Sequence, residues 1–107
     1  MRYKVKAISK FEKELKRLAK KFPSLKAEYL QLIKSLQNHP TQGTPLGANC
    51  FKIRVAVSSK GKGKSGGARV ITYVKIVETV VYLLTIFDKS EKENIPDKEL
   101  GELLKEI

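Results

Sequence analysis

The stretch that most limits the possible folds is the nine-residue run Thr79-Val-Val-Tyr-Leu-Leu-Thr-Ile-Phe87, which is apolar at nearly every position. A strand with one solvated face alternates apolar and polar residues, whereas a run that is apolar on both faces is typical of a central strand covered on both sides. At 107 residues the chain has the length of one domain with one modest core. We therefore expect a single α+β domain, residues 1–107, with helices on one side of this strand and further chain on the other.

Three other stretches alternate with the period of two that indicates strands. Residues 3–8 alternate apolar and basic positions, as an exposed edge strand does. Residues 50–58 place Lys52 and Arg54 on one face, opposite four apolar residues, and residues 68–76 form a further predicted strand. Together with the central run, these stretches predict an antiparallel sheet of about four strands. In the strand after residue 67, Arg69 belongs to the face that also carries Ile71, Tyr73 and Lys75.

Apolar residues three and four apart predict a helical hairpin between the first and second of these strands. Ser9 stands three residues before Glu12, the spacing of a capping box, and Ser24 follows the proline that separates the two helices. Residues 38–49 are rich in turn formers and end the helical part. A C-terminal helix is predicted to begin at Pro96, because acidic residues occupy its first turn.

The charge distribution predicts an anionic partner. The chain carries 22 Lys and Arg against 11 Asp and Glu, and no acidic residue occurs between Tyr29 and Val77. A field of one sign over half of a small domain favours nucleic acid, an acidic protein, or both. The apolar runs are strand-sized and the N-terminus lacks the apolar segment of a signal peptide, so we expect a soluble cytoplasmic protein without a membrane partner. One cysteine and one histidine, Cys50 and His39, predict neither a disulfide nor a metal site, and no cofactor is expected.

Residues 60–67, here called the glycine-rich loop, combine four glycines with three lysines at alternate positions. The Gly63-Lys64-Ser65 sequence does not make a nucleotide-binding P-loop, because that motif needs a glycine at Ser58 and a helix directly after Ser65. We expect the loop to bind RNA backbone phosphates without reading bases. The residues predicted to do so are Lys60, Lys62 and Lys64.

Basic side chains on three neighbouring segments are candidates for RNA cleavage. That reaction needs the 2′-hydroxyl deprotonated, the charge on the phosphate stabilised and the leaving 5′-oxygen protonated. Arginine supplies a fixed fork of donors for the phosphate, and lysine can transfer the protons when neighbouring cations lower its pKa. A charged exit loop, residues 88–94, follows the central strand. We name the candidate catalytic residues the cation cluster: Lys52, Arg54, Arg69, Lys89 and Lys92.

The motifs Cys50-Phe-Lys-Ile-Arg54, Gly66-Gly-Ala-Arg-Val-Ile-Thr-Tyr73 and the exit loop resemble the RelE/ParE toxin superfamily, in particular its RelE/HigB-type branch. The resemblance extends over nearly the whole chain and implies a RelE-like fold. It also implies the toxin of a type II toxin–antitoxin pair: an endoribonuclease that cuts mRNA in the ribosomal A site and is neutralised by a cognate antitoxin. By this resemblance, the cation cluster is the catalytic set.

The chain departs from the family pattern at two positions. RelE has an arginine in the late loop where this chain has Ser90, and a tyrosine near residues 95–97 where this chain has none. The role of the arginine then passes to Lys89 or Lys92, and the general base is a lysine, or Glu91 if that side chain points inward. Two other functions remain open at the level of sequence: a ParE-like poison of DNA gyrase, and an RNA-binding module without catalysis.

Overall fold

The helices and strands described in the structure follow one another in the order expected from the sequence, with one additional strand. The structure, a computed structural model, describes residues 2–61 and 66–107. Single-turn 3-10 helices at Ser58–Lys60 and Ile76–Glu78 follow the third and fourth strands. The main elements are β1 (Lys4–Ala7), α1 (Ser9–Lys21), α2 (Leu25–Asn38), β2 (Thr44–Gly47), β3 (Cys50–Val55), β4 (Ala68–Lys75), β5 (Val80–Asp88) and α3 (Asp97–Leu104).

The strands form one sheet in the order β1-β5-β4-β3-β2. The run that is apolar on both faces is β5, which lies between β1 and β4 and is buried along most of its length. The helical hairpin α1–α2 packs on one face, where Phe11 and Leu36 meet Val70, Val74 and Val81 of the sheet. Helix α3 packs on the opposite face, which we call the α3 face, through Leu100 and Leu103. The α+β class and the covering of β5 from both sides are thus confirmed.

The sheet differs from the expected antiparallel sheet of about four strands in two ways. Within residues 2–61 and 66–107 it has five strands, and β1 pairs with β5 in parallel, so that Val5 lies beside Val81. A parallel partner requires a long connection rather than a hairpin, and here the helical hairpin and the other three strands separate β1 from β5. No local turn signal in the sequence could therefore indicate the direction of β1.

The additional strand is β2, which lies within the segment that the sequence assigned to turns. It pairs with β3 as a hairpin, and the two residues of its turn, Ala48 and Asn49, both have positive φ angles, 52° and 62°. This backbone is that of the two-residue hairpin turns, whose usual signal is Asn-Gly or Asp-Gly. Because alanine occupies the first position of this turn, the usual sequence signal for a two-residue hairpin is missing.

Neither predicted serine cap forms as expected. Ser9 is already inside α1, whose N-cap is Ile8, because the chain remains extended through Ile8 before it turns. Ser24 does precede α2, but its hydroxyl makes no capping bond. It contacts Glu28 at 3.0 Å and Ser59 at 2.8 Å instead, which ties the helical hairpin to the segment just before the glycine-rich loop.

Candidate active site

The register of β3 and β4 brings two arginines side by side on the α3 face. Arg54 is directly opposite Arg69 in this antiparallel pair, and Lys52 is opposite Ile71. Residues directly opposite in such a pair share a face of the sheet, so the predicted common direction of Lys52, Arg54 and Arg69 follows from this register. Their face is also the one that α3 only partly covers.

Arg69 is the most buried member of the cation cluster. Arg69 as a whole residue is only 4% exposed to solvent, whereas Arg54 is an exposed residue. Nη1 of Arg69 donates a hydrogen bond to the carbonyl oxygen of Ala68 at 3.2 Å. Burial lowers the pKa of Arg69, the neighbouring Arg54 lowers it further, and Glu93 acts in the opposite direction. Two guanidinium groups at adjacent positions repel each other, so an anion that binds both is favoured.

A β-bulge places an aromatic ring beside Arg69. Between β4 and β5 the register shifts so that Leu84 has no partner, and beyond this shift Phe87 is opposite Arg69. Without the bulge, strict alternation would put Phe87 on the same face as Leu83, towards the helical hairpin. Phe87 instead packs with Ile71 and Leu100 on the α3 face. The Phe87 ring therefore lies next to Arg69 on the α3 face, on the side away from Arg54.

The exit loop turns back over this face and brings Lys92 to it. Nζ of Lys92 lies 5.4 Å from the centre of the Phe87 ring and 2.6 Å from a carboxylate oxygen of Glu99 on α3. Lys52 reaches the same loop from β3, since its Nζ donates to Oδ1 of Asn94 at 2.6 Å. The row across the sheet is therefore Arg54, Arg69 and then Phe87 with Lys92 above it. Sequence reasoning missed the partners Asn94 and Glu99, whose only signal was their place in and after a charged loop.

Lys89 lies at the same end of the sheet. Its backbone N–H donates to the carbonyl oxygen of Gly67 at 3.1 Å, which fixes it beside the start of β4. Its Nζ is 3.9 Å from Glu93, in a partly exposed pair. Glu91, by contrast, pairs with Arg17 of α1 at 3.7 Å. This position takes Glu91 towards the helical hairpin and weighs against an inward-pointing general base.

Lys60 does not occupy the position expected of an RNA-docking charge. Its side chain is 8% exposed and makes an ion pair with Asp88, which is 2% exposed. Nζ of Lys60 also lies 5.3 Å from the centre of the Phe22 ring. This buried and paired charge does not favour the predicted contact of Lys60 with RNA phosphates, which stays a prediction. The other two predicted docking lysines, Lys62 and Lys64, lie outside the described residues.

A surface cavity extends the candidate site past the arginine pair. Its volume is about 420 Å³, and it opens along the outer side of β3, where β2 stops pairing. Gly43 lies at this point with a φ of 103°, and a Cβ there would come within 2.6 Å of the Lys52 carbonyl oxygen. The close approach therefore requires glycine. The lining residues are Gln42, Gly43, Thr44, Lys52, Ile53 and Arg54.

Other classes of site are poorly supported among residues 2–61 and 66–107. No three His, Cys, Asp or Glu side chains of this part of the chain come together as a metal ion would need. Cys50 is buried in the α3-face core, and burial raises the pKa of its thiol to about 11. None of the helices described has both the length and the apolar composition that crossing a bilayer demands.

One family model matches nearly the whole chain. The family model described as the RelE toxin of the RelE/RelB toxin–antitoxin system matches residues 7–107. The chain belongs to the RelE toxin family. It is accordingly a toxin of a toxin–antitoxin system, as the motifs around the cation cluster implied.

Solved structures share the fold of this RelE-family toxin at low sequence identity. A mutant of the E. coli toxin RelE in its free state is 17% identical, with a TM-score of 0.68 over 100% of this chain and 99% of that one. The toxin–antitoxin complex RelBE2 from Mycobacterium tuberculosis contains a chain 16% identical, with a TM-score of 0.57 over 82% of this chain and 99% of that one. At these identities the likeness establishes the architecture, and the site must be argued from this chain's own residues.

Proposed function

We propose that this RelE-family toxin is an endoribonuclease that cleaves mRNA on the ribosome and so blocks translation. The observation that carries the proposal is the side-by-side placement of Arg54 and Arg69, one exposed and one buried, on the α3 face. A phosphodiester between them would relieve their mutual repulsion. The repulsion is relieved most when negative charge builds on the phosphate, which is the condition for catalysis rather than mere binding.

Two lysines close to the arginine pair can provide the proton transfers. Lys52 precedes Arg54 on β3, and Lys92 lies over Phe87 on the other side of Arg69. In an in-line displacement the attacking 2′-oxygen and the leaving 5′-oxygen are on opposite sides of the phosphorus. We assign Lys52, as a neutral amine, to accept the 2′-hydroxyl proton and Lys92, as an ammonium group, to donate a proton to the leaving 5′-oxygen, and Lys89 to an adjacent backbone phosphate. Asn94 and Glu99, which accept hydrogen bonds from the Nζ atoms of Lys52 and Lys92, orient the two side chains for this task.

The same cations provide a surface for an antitoxin. The structural neighbour from M. tuberculosis is a complex of toxin and antitoxin, and the present family takes its description from such a pair. We propose that a cognate antitoxin places acidic side chains over Arg54 and Lys52. Such a segment neutralises the toxin by occupying the position of the RNA phosphates, so binding of RNA and antitoxin would be mutually exclusive.

The test is to map mRNA ends in purified translation complexes. Wild-type protein should generate new 5′ ends within ribosome-bound mRNA and none in the same mRNA free in solution. The double variant Lys52→Ala/Arg54→Ala should lose roughly 100-fold or more of the rate, because each change removes a group that stabilises the transition state. Lys13→Ala/Arg17→Ala removes the same charge from α1 and serves as the matched control.

Three results would contradict the proposal. An equal rate of mRNA cleavage with and without ribosomes would show that the activity does not depend on the ribosome. Inhibition of DNA gyrase supercoiling without new mRNA ends favours the gyrase alternative, and salt-sensitive RNA binding without cleavage favours a binding module. The antitoxin part fails separately if RNA does not compete with the antitoxin for Arg54.

A further inference from the structure

The ion pair between Lys60 and Asp88 is the most deeply buried charge contact described in the protein. Lys60 ends the short 3-10 helix after β3, and Asp88 is the last residue of β5. Their side chains are 8% and 2% exposed. Burial by itself would raise the pKa of Asp88, but hydrogen bonds from Lys60 and Ser90 outweigh it and hold the pKa below its ordinary value. Buried charges of this kind persist where both partners and further hydrogen bonds satisfy them.

Asp88 also forms the first turn of the exit loop. Its Oδ1 accepts hydrogen bonds from the Ser90 N–H at 3.0 Å and the Ser90 hydroxyl at 2.9 Å. Its backbone carbonyl accepts from the N–H groups of Glu91 and Lys92 at 3.0 and 3.1 Å. The path of the chain that carries Lys89 and Lys92 is therefore set by contacts to this one residue.

Gly67 joins the same arrangement from the start of β4. Its carbonyl oxygen accepts both from Nζ of Lys60, at 3.3 Å, and from the N–H of Lys89, at 3.1 Å. A Cβ at Gly67 would lie 2.0 Å from the Val55 carbonyl oxygen, so the chain passes β3 here as closely as only glycine permits. Two residues later comes Arg69. The contacts among Lys60, Gly67 and Asp88 thus connect the segment after β3, the start of β4 and the exit loop.

We propose that the Lys60–Asp88 pair is a positioning device, which holds the exit-loop cations Lys89 and Lys92 in place beside Arg69 without itself touching RNA. This inference rests on the proposed function and deepens it. The sequence pattern predicted that Lys60 contacts RNA phosphates. The inference instead gives Lys60 a positioning role inside the protein, without contact to RNA. Small displacements of groups that stabilise a transition state reduce the rate while leaving the affinity of the substrate largely unchanged.

The test compares Lys60→Met, Asp88→Asn and the double variant with Lys34→Met, which removes an equal charge from the exposed surface of α2. The positioning role predicts that Lys60→Met and Asp88→Asn each lower kcat for ribosome-bound mRNA by roughly 10- to 100-fold and change KM by less than about threefold. A docking role predicts opposite signs: Lys60→Met weakens RNA binding, and Asp88→Asn strengthens it because a negative charge is removed. Asp88→Asn keeps the size of the side chain, so it remains informative if Lys60→Met does not fold.

Amide hydrogen exchange at Lys89 and Lys92 gives a readout that does not depend on catalysis. Both amides donate to the anchoring carbonyls, so exchange should quicken in the single variants and stay at the wild-type rate in Lys34→Met. Wild-type exchange rates at both amides in Lys60→Met and Asp88→Asn overturn the proposal, as does an Asp88→Asn variant that binds RNA more tightly and cleaves at full rate. A wild-type protein that cleaves no RNA refutes the proposed function, while exchange still decides whether the pair positions the exit loop.

Discussion

The cation cluster and the basic face of α1 carry the same sign of charge but arrange it differently. The exposed cations of α1 follow one another along a 13-residue helix about 20 Å long, and they are Lys13, Lys16, Arg17, Lys20 and Lys21. All five are exposed and belong to a single element, and the contact described for Arg17 is a loose ion pair with Glu91 at 3.7 Å. Charges separated by more than about 10 Å in water at ordinary salt are largely screened from one another.

The cation cluster draws its members from β3, β4 and the exit loop. The register of β3 and β4 places Lys52, Arg54 and Arg69, and backbone contacts of the exit loop place Lys89 and Lys92. Arg69 is buried, and Lys52 and Lys92 are each held by a neighbouring side chain at 2.6 Å. At a partly buried position the effective dielectric is lower, so the same unit charge acts more strongly on a phosphate. The comparison teaches that the candidate site differs from α1 in the convergence of cations from separate segments, and not in the number of its lysines.

The largest effect is expected at Arg69. Arg69→Gln should lower the cleavage rate by roughly 100- to 1000-fold, the loss typical for one donor to a developing oxyanion. Arg69→Lys keeps the charge but loses the planar fork, so it should recover only part of the rate. Single-turnover cleavage of ribosome-bound mRNA measures the effect, with thermal unfolding as a check on folding.

Arg17→Gln is the matched control for this prediction, because Arg17 is an exposed arginine of α1 whose ion pair with Glu91 of the exit loop is loose and partly exposed. Its rate should stay within about twofold of wild type. A folded Arg69→Gln protein that cleaves as fast as Arg17→Gln would remove the distinction between the two groups of cations.

The free energy of unfolding should separate buried from solvated cations in the same way. Lys60→Met leaves the buried carboxylate of Asp88 without its counter-charge and should cost about 3 kcal/mol, whereas Arg17→Met on α1 should cost at most about 0.5 kcal/mol. The double variant Lys60→Met/Asp88→Asn removes both charges and should return to within about 1 kcal/mol of wild type. Urea titration measures all three. Equal costs for Lys60→Met and Arg17→Met would show that burial adds nothing to this pair.

A smaller effect is expected from acid. The pKa of Asp88 in the folded protein lies below its ordinary value of 3.8, so its stabilising contribution is complete above pH 3.8 and is lost as the pH falls through the lowered pKa. Between about pH 6 and about pH 2, the melting temperature of wild type should therefore fall more steeply than that of Asp88→Asn. Glu78→Gln, which removes a half-exposed carboxylate paired with Lys75, should follow wild type. Parallel curves for wild type and Asp88→Asn would contradict a pKa shift caused by Lys60.

Much of this architecture was predictable because it depends on local periodicity. Alternation within β3 and β4 placed Lys52, Arg54 and Arg69 on one face, and the register confirms their adjacency. The two-sided apolar run identified β5 as a central strand. The helical hairpin followed from a period of 3.6 residues. Each of these inferences used residues that are neighbours in sequence.

The remainder depends on contacts that no local pattern encodes. Lys60 and Asp88 are 28 residues apart, so the sequence showed Lys60 only as one of three alternating lysines. Phe87 reaches the α3 face because of a bulge that a regular alternation conceals. Parallel pairing of β1 likewise leaves no turn to recognise. The features that the sequence did not reveal, including the pairing of β1 and the side chains around the candidate site, therefore depend on contacts between distant segments.

The smallest effect is expected on α1 itself. If its lysines form only a solvated face, Lys13→Ala/Lys16→Ala should leave kcat unchanged and raise KM by no more than about twofold at physiological salt, because isolated surface charges are screened there. At lower salt the rise in KM should become larger, since long-range attraction to an anionic ribosome then contributes. A titration of KM against salt concentration distinguishes these regimes. A KM increase that persists at high salt would mean that α1 contacts RNA directly, and the basic helix would then be a second docking surface beside the cation cluster.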